Sequence, residues 1–546
     1  MDSLFDRISE ASKSYPKPNI HFSYGTAGFR TIGLDLVSTV FRMGIISALR
    51  SQKKFGKAIG VMITASHNKE EDNGIKLVDP MGEMLNQSWE EYCTTVANAK
   101  DEQELISAIK DIVNRENIDI TKPANVLYGY DTRPTSVLLV GALENGLKAI
   151  NAESVNYGVV TTPQLHYFVR CVNTKDYVPY GEPSVDGYNK KFAKAYITLM
   201  DMARVTPDTI TSVNIDCANG VGAPQMAKIA SVIGDNYLKA NLLNTEVYVK
   251  NKLNHDCGAD FVKSNQKPPE SVPIIPGQRY CSFDGDADRV IYYYFDQNKQ
   301  FRLLDGDKIS SLIAMYLRDL VNTAGLTELN LGVVQTAYAN GSSTKYMRNT
   351  LQLPVVMANT GVKYLHSEAE KFDIGVYFEA NGHGSILFSD KAVDVLKNKE
   401  PQSPAQMDAM VKLAAFRNLV NEAVGDAISD MLLVEVILAS KRWSLVHWDQ
   451  SYTLVPNRLM KVKVSNRHVF TTTNAEQTLV TPAGVQDLID NVVSKYPNGR
   501  SFVRPSGTED AVRIFSEANT PENAEELGIT VCRIVYDKAG GIGPYP

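Results

Sequence analysis

The sequence predicts an α/β protein, with three α/β domains built on mixed sheets and a small C-terminal α+β domain. Three observations carry this expectation. Short apolar runs alternate with helical patterns over most of the 546 residues. The runs end in polar loops, the place where open α/β sheets gather their ligands. After Trp448 the alternation gives way to strand-rich sequence followed by one helical stretch.

Along the chain, Ile59–Ile63 is a compact buried strand that stops at the polar loop Thr64–Gly74. Asn125–Tyr130 is a second, stopping at Asp131-Thr132-Arg133-Pro134. Val213–Ile215 passes Asp216 into Asn219-Gly220-Val221-Gly222, which predicts a strand, a turn and a helix through Ala230. Gly332–Thr336 and Ile374–Phe378 repeat the pattern. Strands alternating with helices favour α/β units. Further on, Met460–Val464 and Val469–Thr473 read as strands and Ala483–Tyr496 as a helix. Breaks are expected in Val178–Tyr188, in Asp296–Gln300 and after the helical stretch that ends near Trp448. They divide the chain into domains 1–180, 181–298, 299–450 and 451–546, the last of ordinary domain size.

Composition removes several function classes. The net charge is −6 and no block of five basic residues occurs, which argues against sequence-independent nucleic-acid binding. Apolar runs such as Met431–Val434 fall far short of the ~20 residues a membrane span needs. Met1–Glu10 carries charges of both signs and no secretory pattern. The six cysteines show no C-x-x-C spacing, so free thiols in a reducing compartment are expected. A cytoplasmic enzyme is the expectation.

Four loops carry chemistry. In Ser282-Phe283-Asp284-Gly285-Asp286-Ala287-Asp288-Arg289 three aspartates alternate with small residues. On an extended backbone they would point to one side and suit Mg²⁺, which takes hard oxygen ligands. An EF-hand is excluded, because Arg289 and Phe295 stand where its glycine and glutamate belong. Thr64-Ala65-Ser66-His67-Asn68 offers an exposed-loop serine, although a turn or capping serine is the commoner case. Arg504-Pro505-Ser506-Gly507-Thr508-Glu509, with Arg513 beyond, has the arginine, hydroxyls and glycine of a phosphate cradle. Phe378-Glu379-Ala380-Asn381-Gly382-His383-Gly384 can read vicinal hydroxyls, or can be a hairpin with Asn-Gly at its tip.

In this order the four stretches resemble the α-D-phosphohexomutase superfamily. The resemblance runs from Tyr24-Gly25-Thr26-Ala27-Gly28-Phe29-Arg30 to Arg504–Arg513, nearly the whole chain. It implies a four-domain phosphohexomutase-like fold with the active site in a central cleft. It also implies a phosphoserine at Ser66 and one Mg²⁺ held by Ser66, Asp284, Asp286 and Asp288. Arg30, His67, Lys76 and Lys363 match positions near the reaction. Glu379, Asn381 and His383 match the sugar loop. Arg504, Ser506, Gly507, Thr508, Arg513 and Arg289 match other substrate contacts.

Two departures point to a branch. Lys69 stands where many members have proline after Ser-His-Asn, and Asn381 replaces the serine of the glucose and mannose mutases. Both resemble the N-acetylhexosamine branch, as does Asn254-His255-Asp256-Cys257-Gly258-Ala259-Asp260. The implied reaction interconverts N-acetylglucosamine 6-phosphate and 1-phosphate through a phosphoserine and a sugar 1,6-bisphosphate, which is also the activator. It would supply UDP-N-acetylglucosamine synthesis, with a mobile C-terminal domain closing on substrate; the sequence leaves the oligomeric state open, a monomer being slightly favoured. The expected partner is a small sugar phosphate, with no nucleic acid and no membrane.

The alternatives are a phosphoglucomutase or phosphomannomutase, a metal-dependent phosphatase, and a non-catalytic sugar-phosphate binder. The last predicts loss of Ser66, an aspartate or a phosphate-loop arginine, and all are present.

Overall fold

The computed structural model describes residues 2–507 and 510–546. They form two compact units, the first from residues up to 305 with 381–385 and 414–445, the second from 306–380, 386–413 and 446–546.

The first unit holds two mixed five-stranded sheets. One is built from β1 (Phe29–Ile32), β2 (Ile59–Ile63), β3 (Asp72–Val78), β4 (Asn125–Tyr130) and β5 (Glu153–Val159), in the order β1-β3-β2-β4-β5. β2, β4 and β5 run parallel, and β3 is antiparallel to its two neighbours. Every residue of β2 is buried, as its unbroken apolar run requires. The other sheet comprises β6 (Val213–Asp216), β7 (Ala240–Leu243), β8 (Arg279–Phe283), β9 (Val290–Phe295) and β10 (Phe301–Leu304), ordered β10-β9-β8-β6-β7. Helices Val37–Lys53 and Ser136–Ile150 pack together, and their buried faces, with Phe41, Met43 and Leu143, join β2 and β4 in one core.

In the second unit β11 (Leu331–Thr336) lies between and parallel to β12 (Val355–Ala358) and β13 (Ile374–Phe378). β14 (Gly384–Phe388) neighbours β13, and its first two residues count with the first unit. β15 (Asn457–Lys463), β18 (Arg500–Pro505) and β19 (Ala511–Glu517) make an antiparallel sheet with β19 in the middle. β16 (Thr471–Thr473) and β17 (Thr478–Thr481) form a separate two-stranded ribbon.

The mixed α/β architecture is the one the alternating pattern predicts. Three local expectations need correction. Val185–Tyr188, expected within a break, opens the helix Val185–Met202, because the Ser184 hydroxyl caps it by accepting the Gly187 N–H at 2.9 Å. Val469–Thr473 is part 3₁₀ turn and part strand, since Asn466 caps the turn Arg467–Val469 first. The helix expected at 483–496 is shorter, Val485–Val493, because Gly484 takes φ 79° and cannot belong to it. All six cysteines are free and buried. Among the described residues, no helix is long and apolar enough to cross a membrane.

Candidate active site

Ser66 leaves the carboxyl end of β2 with φ 51° and, against the expectation of an exposed-loop serine, is fully buried, because the aspartate turn packs over it. A non-glycine residue in the left-handed region costs roughly 1–3 kcal/mol unless its surroundings impose it. Here they do. The Ser66 carbonyl accepts from Arg133 Nη2 and from Asn254 Nδ2, each at 2.8 Å, and its N–H donates to Thr64 Oγ1 at 3.0 Å. A charge-assisted hydrogen bond alone contributes ~1.5–3 kcal/mol, enough to hold the strained turn.

That conformation aims the hydroxyl at the aspartate turn, where Ser66 Oγ donates to Asp284 Oδ2 at 2.5 Å. The three aspartates converge, but not by strand alternation. Residues 284–289 form a turn between β8 and β9, closed by Ala287 N–H on the Asp284 carbonyl at 3.1 Å, with Ala287 at φ 58°. Asp284 Oδ1 accepts the N–H groups of Asp288 and Arg289 at 3.0 and 3.2 Å. Gly285 lets the two loops meet: a Cβ there would lie 2.5 Å from the Ser66 carbonyl oxygen.

Charges crowd the turn. Lys76 on β3 places Nζ 3.8 Å from Asp286 and 3.6 Å from Asp288. Asp286 Oδ2 accepts from Thr162 at 2.7 Å and Thr64 at 3.3 Å. Burial, reinforced by Asp288 and Asp286, pushes the Asp284 carboxyl well above its usual range. Burial pushes Asp288 the same way, but His383, Lys76 and Arg289 outweigh it and hold Asp288 well below its ordinary value. His67 lies 3.4 Å from Ser66 Oγ, and burial with the nearby Arg289 and Arg30 guanidiniums keeps its ring neutral. Arg30, on β1, is pushed down by burial and drawn back by Asp286.

The donor set fits a hard divalent cation. One carboxylate oxygen from each of Asp284, Asp286 and Asp288 lies within 4.8 Å of the others. Asp286 Oδ1 is buried and accepts no hydrogen bond, while Asp288 Oδ1 faces His383 Nδ1 at 3.4 Å and Arg289 Nε at 3.7 Å. An orphaned carboxylate oxygen such as Asp286 Oδ1, this close to like charges, is costly without a cation.

Other predicted residues are placed as follows. Arg289 Nη1 donates to Asp260 at 2.7 Å. His383 is buried, with Nδ1 2.7 Å from the Asp288 carbonyl oxygen, and its N–H donates to Asn381 at 3.0 Å. In the second unit, Glu379 accepts the Gly361 N–H at 3.2 Å, and Lys363 lies in the first turn of the helix Val362–Ala369. Arg504, next to the last residue of β18, stands opposite Arg513 on β19, so both side chains lie on one face of the sheet. Ser506 N–H closes this hairpin on the Ala511 carbonyl at 2.9 Å, and Gly507 has open space around it. Thr508 lies outside the described residues.

Sequence reasoning missed Thr64, Asp131, Thr162 and Asp260 as parts of this arrangement. The Asp131-Thr132-Arg133-Pro134 motif was a signal for one of them: Asp131 accepts from Thr64 at 2.7 Å and from Arg133 Nε at 3.0 Å. Asp260 closes the Asn254–Asp260 stretch, which marked a branch but not a site role, and Thr162 carries no local signal, because its partner Asp286 is distant in sequence.

Comparison with known proteins decides the family. Residues 305–443 and 184–291 match domains III and II of the family described as Phosphoacetylglucosamine mutase AMG1. The chain is 48% identical over 545 residues to the human phosphoacetylglucosamine mutase, covering 99% of this chain and 98% of that one. The chain belongs to the phosphoacetylglucosamine mutase family.

Residues 26–104, 97–178 and 459–531 match the first and C-terminal domains of the broader phosphoglucomutase/phosphomannomutase group. The Candida albicans member of the family is 46% identical, with 98% of this chain and 100% of that one aligned. The Aspergillus fumigatus N-acetylphosphoglucosamine mutase, solved with GlcNAc-6P and magnesium, superposes with a TM-score of 0.94 at 46% identity. That match covers 98% of this chain and 99% of the other. A serine-to-alanine variant of the Aspergillus enzyme, solved with glucose 1,6-bisphosphate, also gives 0.94 at 46% identity, covering 99% and 100%.

Proposed function

We propose that this chain interconverts N-acetylglucosamine 6-phosphate and 1-phosphate, with Ser66 as a reusable phosphoryl carrier. The observation that supports this most is the Ser66 hydroxyl bonded at 2.5 Å to a buried aspartate within a trio of carboxylates. The Aspergillus relative binds the 6-phosphate together with magnesium, and its variant binds a sugar 1,6-bisphosphate.

Ser66, Asp284, Asp286 and Asp288 would hold one Mg²⁺. Bound there, the ion supplies Lewis-acid stabilisation of charge on a transferring phosphoryl group. The phosphoserine P–O bond breaks as the free sugar hydroxyl forms a new P–O bond, and the proton which that hydroxyl loses is matched by the one the departing Ser66 oxygen gains. The resulting 1,6-bisphosphate reorients and returns its other phosphoryl group to Ser66. Arg30, His67 and Lys76 offset phosphate charge around Ser66, and Lys363 serves proton transfer or phosphate contact. Glu379 and Asn381 read sugar hydroxyls, with Arg289 and His383 completing the sugar-binding set. Arg504, Ser506, Gly507, Thr508 and Arg513 retain the phosphate that is not reacting.

The same reading divides the chain into domains at 181, 299 and 451, and makes it a cytoplasmic enzyme that supplies UDP-N-acetylglucosamine synthesis. Intact mass after incubation with a sugar 1,6-bisphosphate tests the carrier. The wild-type chain is expected to exchange the mass of one phosphoryl group and Ser66→Ala none. A variant that keeps near-normal mutase turnover refutes the assignment.

A further inference from the structure

An acidic side chain sits against the arginine read above as the phosphate holder. Glu476 lies at the tip of the β16–β17 ribbon, where Asn474, Ala475 and Glu476 have φ 54°, 51° and 65° in succession. Three consecutive non-glycine residues in the left-handed region are each disfavoured by roughly 1–2 kcal/mol, so contacts made by the tip must hold them there. Gln477 closes the tip, its N–H and side-chain amide donating to the Asn474 carbonyl at 3.2 and 3.0 Å, and Glu476 anchors it outward. Glu476 Oε1 and Oε2 accept from Arg504 Nη1 at 3.3 and 3.1 Å. Its Oε2 also accepts the Thr360 N–H at 2.9 Å and the Thr360 hydroxyl. The next N–H along the chain, that of Gly361, holds Glu379.

Two roles are open to such a carboxylate. It could compete with phosphate for the guanidinium, or it could orient the guanidinium toward phosphate. The geometry decides between them. Among the described residues Glu476 takes only Nη1, while Arg504 Nε is buried and unpartnered. The Nε–Nη2 edge, the one that forks onto a phosphate, stays unclaimed. Arg513 Nε is buried and unpartnered as well. The Arg504 guanidinium also lies 5.8 Å from the Tyr338 ring centre, and that ring is fixed edge-on against Phe502 and Phe515 at 5.1 and 5.8 Å. The guanidinium is therefore held at one nitrogen and over one face, with its Nε–Nη2 edge unpaired among the described residues.

We propose that Glu476 is a positioning residue: it orients Arg504 for phosphate and ties that arginine, through Thr360 and Gly361, to the hydroxyl-reading Glu379. The proposal rests on the reading of Arg504 as the phosphate holder. One carboxylate then sets the spacing between the two groups that grip the ends of one substrate.

The test is steady-state kinetics on Glu476→Ala, Glu476→Gln, Arg504→Ala and the Glu476→Ala/Arg504→Ala double variant, with thermal unfolding of each. Misorienting one bidentate donor should raise KM for the sugar phosphate by about tenfold in Glu476→Ala, with kcat within about twofold. Glu476→Gln keeps the acceptor for Thr360 but loses the charge facing Arg504, so its KM should fall between wild type and Glu476→Ala. Arg504→Ala should raise KM further, and adding Glu476→Ala to it should change little. A normal or lowered KM in Glu476→Ala, with Arg504→Ala impaired, overturns the positioning role alone. Equal KM effects of Glu476→Ala with and without Arg504 also overturn it. A normal KM in Arg504→Ala overturns the phosphate-site reading and this proposal with it.

Discussion

Arg133 has five side-chain N–H groups, and all five are used to shape the loop that carries Ser66. Nε donates to Asp131, Nη1 to the Lys69 and Asp72 carbonyls, and Nη2 to the Ser66 and Asn68 carbonyls. A lysine at this position has three donors from one point and cannot span that set. Arg133→Lys should therefore leave buried carbonyls unpaired, at a cost of about 2–4 kcal/mol in urea unfolding. It should also lower kcat more than tenfold with little change in KM, because the Ser66 oxygen loses its imposed direction. Lost stability with unchanged kcat would reduce Arg133 to a fold residue.

At the scale of elements, the helix Val185–Met202 carries a lysine in an unfavourable place. Lys191 Nζ lies 3.3 Å from the Tyr180 ring centre and 5.4 Å from that of Tyr167, and burial lowers its pKa to about 7 despite the attraction of Glu422; Arg170 and Arg417 lower it further. Between pH 7 and the unfolded value of 10.5 the unfolded chain binds more protons, so this group makes stability rise with pH across that window. Below pH 7 its full penalty applies, up to ~5 kcal/mol by linkage and reduced by a cation–π attraction of ~2 kcal/mol. Lys191→Met should thus raise the urea midpoint most near pH 6, with the gain falling to under about 1 kcal/mol near pH 10. A difference from wild type that does not vary with pH would contradict the burial of this ammonium. Elements were legible where one segment settles its own state. β2, β4 and β13 are bounded as their apolar runs are, because a fully buried strand needs only its own residues to announce it. The aspartate turn was legible in its residue types and not in its geometry. Its convergence depends on Ala287 at φ 58° and on Thr162, which arrives from elsewhere in the chain to hold Asp286.

Across the whole molecule, the expected ligands divide between the two units, and this makes their binding separable. Ser66, Asp284, Asp286 and Asp288 all lie in the first unit, whereas Arg504, Ser506, Gly507 and Arg513 lie in the second. The order of these loops was readable from sequence, but the contact of Glu476 with Thr360 was not, since 116 residues separate them. A cation that binds only the folded state stabilises it by about 2.7 kcal/mol at a hundred times its dissociation constant. The gain falls where the ligands are, because relief of the crowded carboxylates acts on the loops that carry them. Mg²⁺ alone, without sugar, should therefore slow amide hydrogen exchange across residues 59–76 and 279–295 and leave 457–505 and 511–517 unchanged. Asp286→Asn should abolish that protection while leaving exchange in the second unit as in wild type. Protection spread equally over both units, or none in the first, would mean that the aspartate trio does not hold the ion.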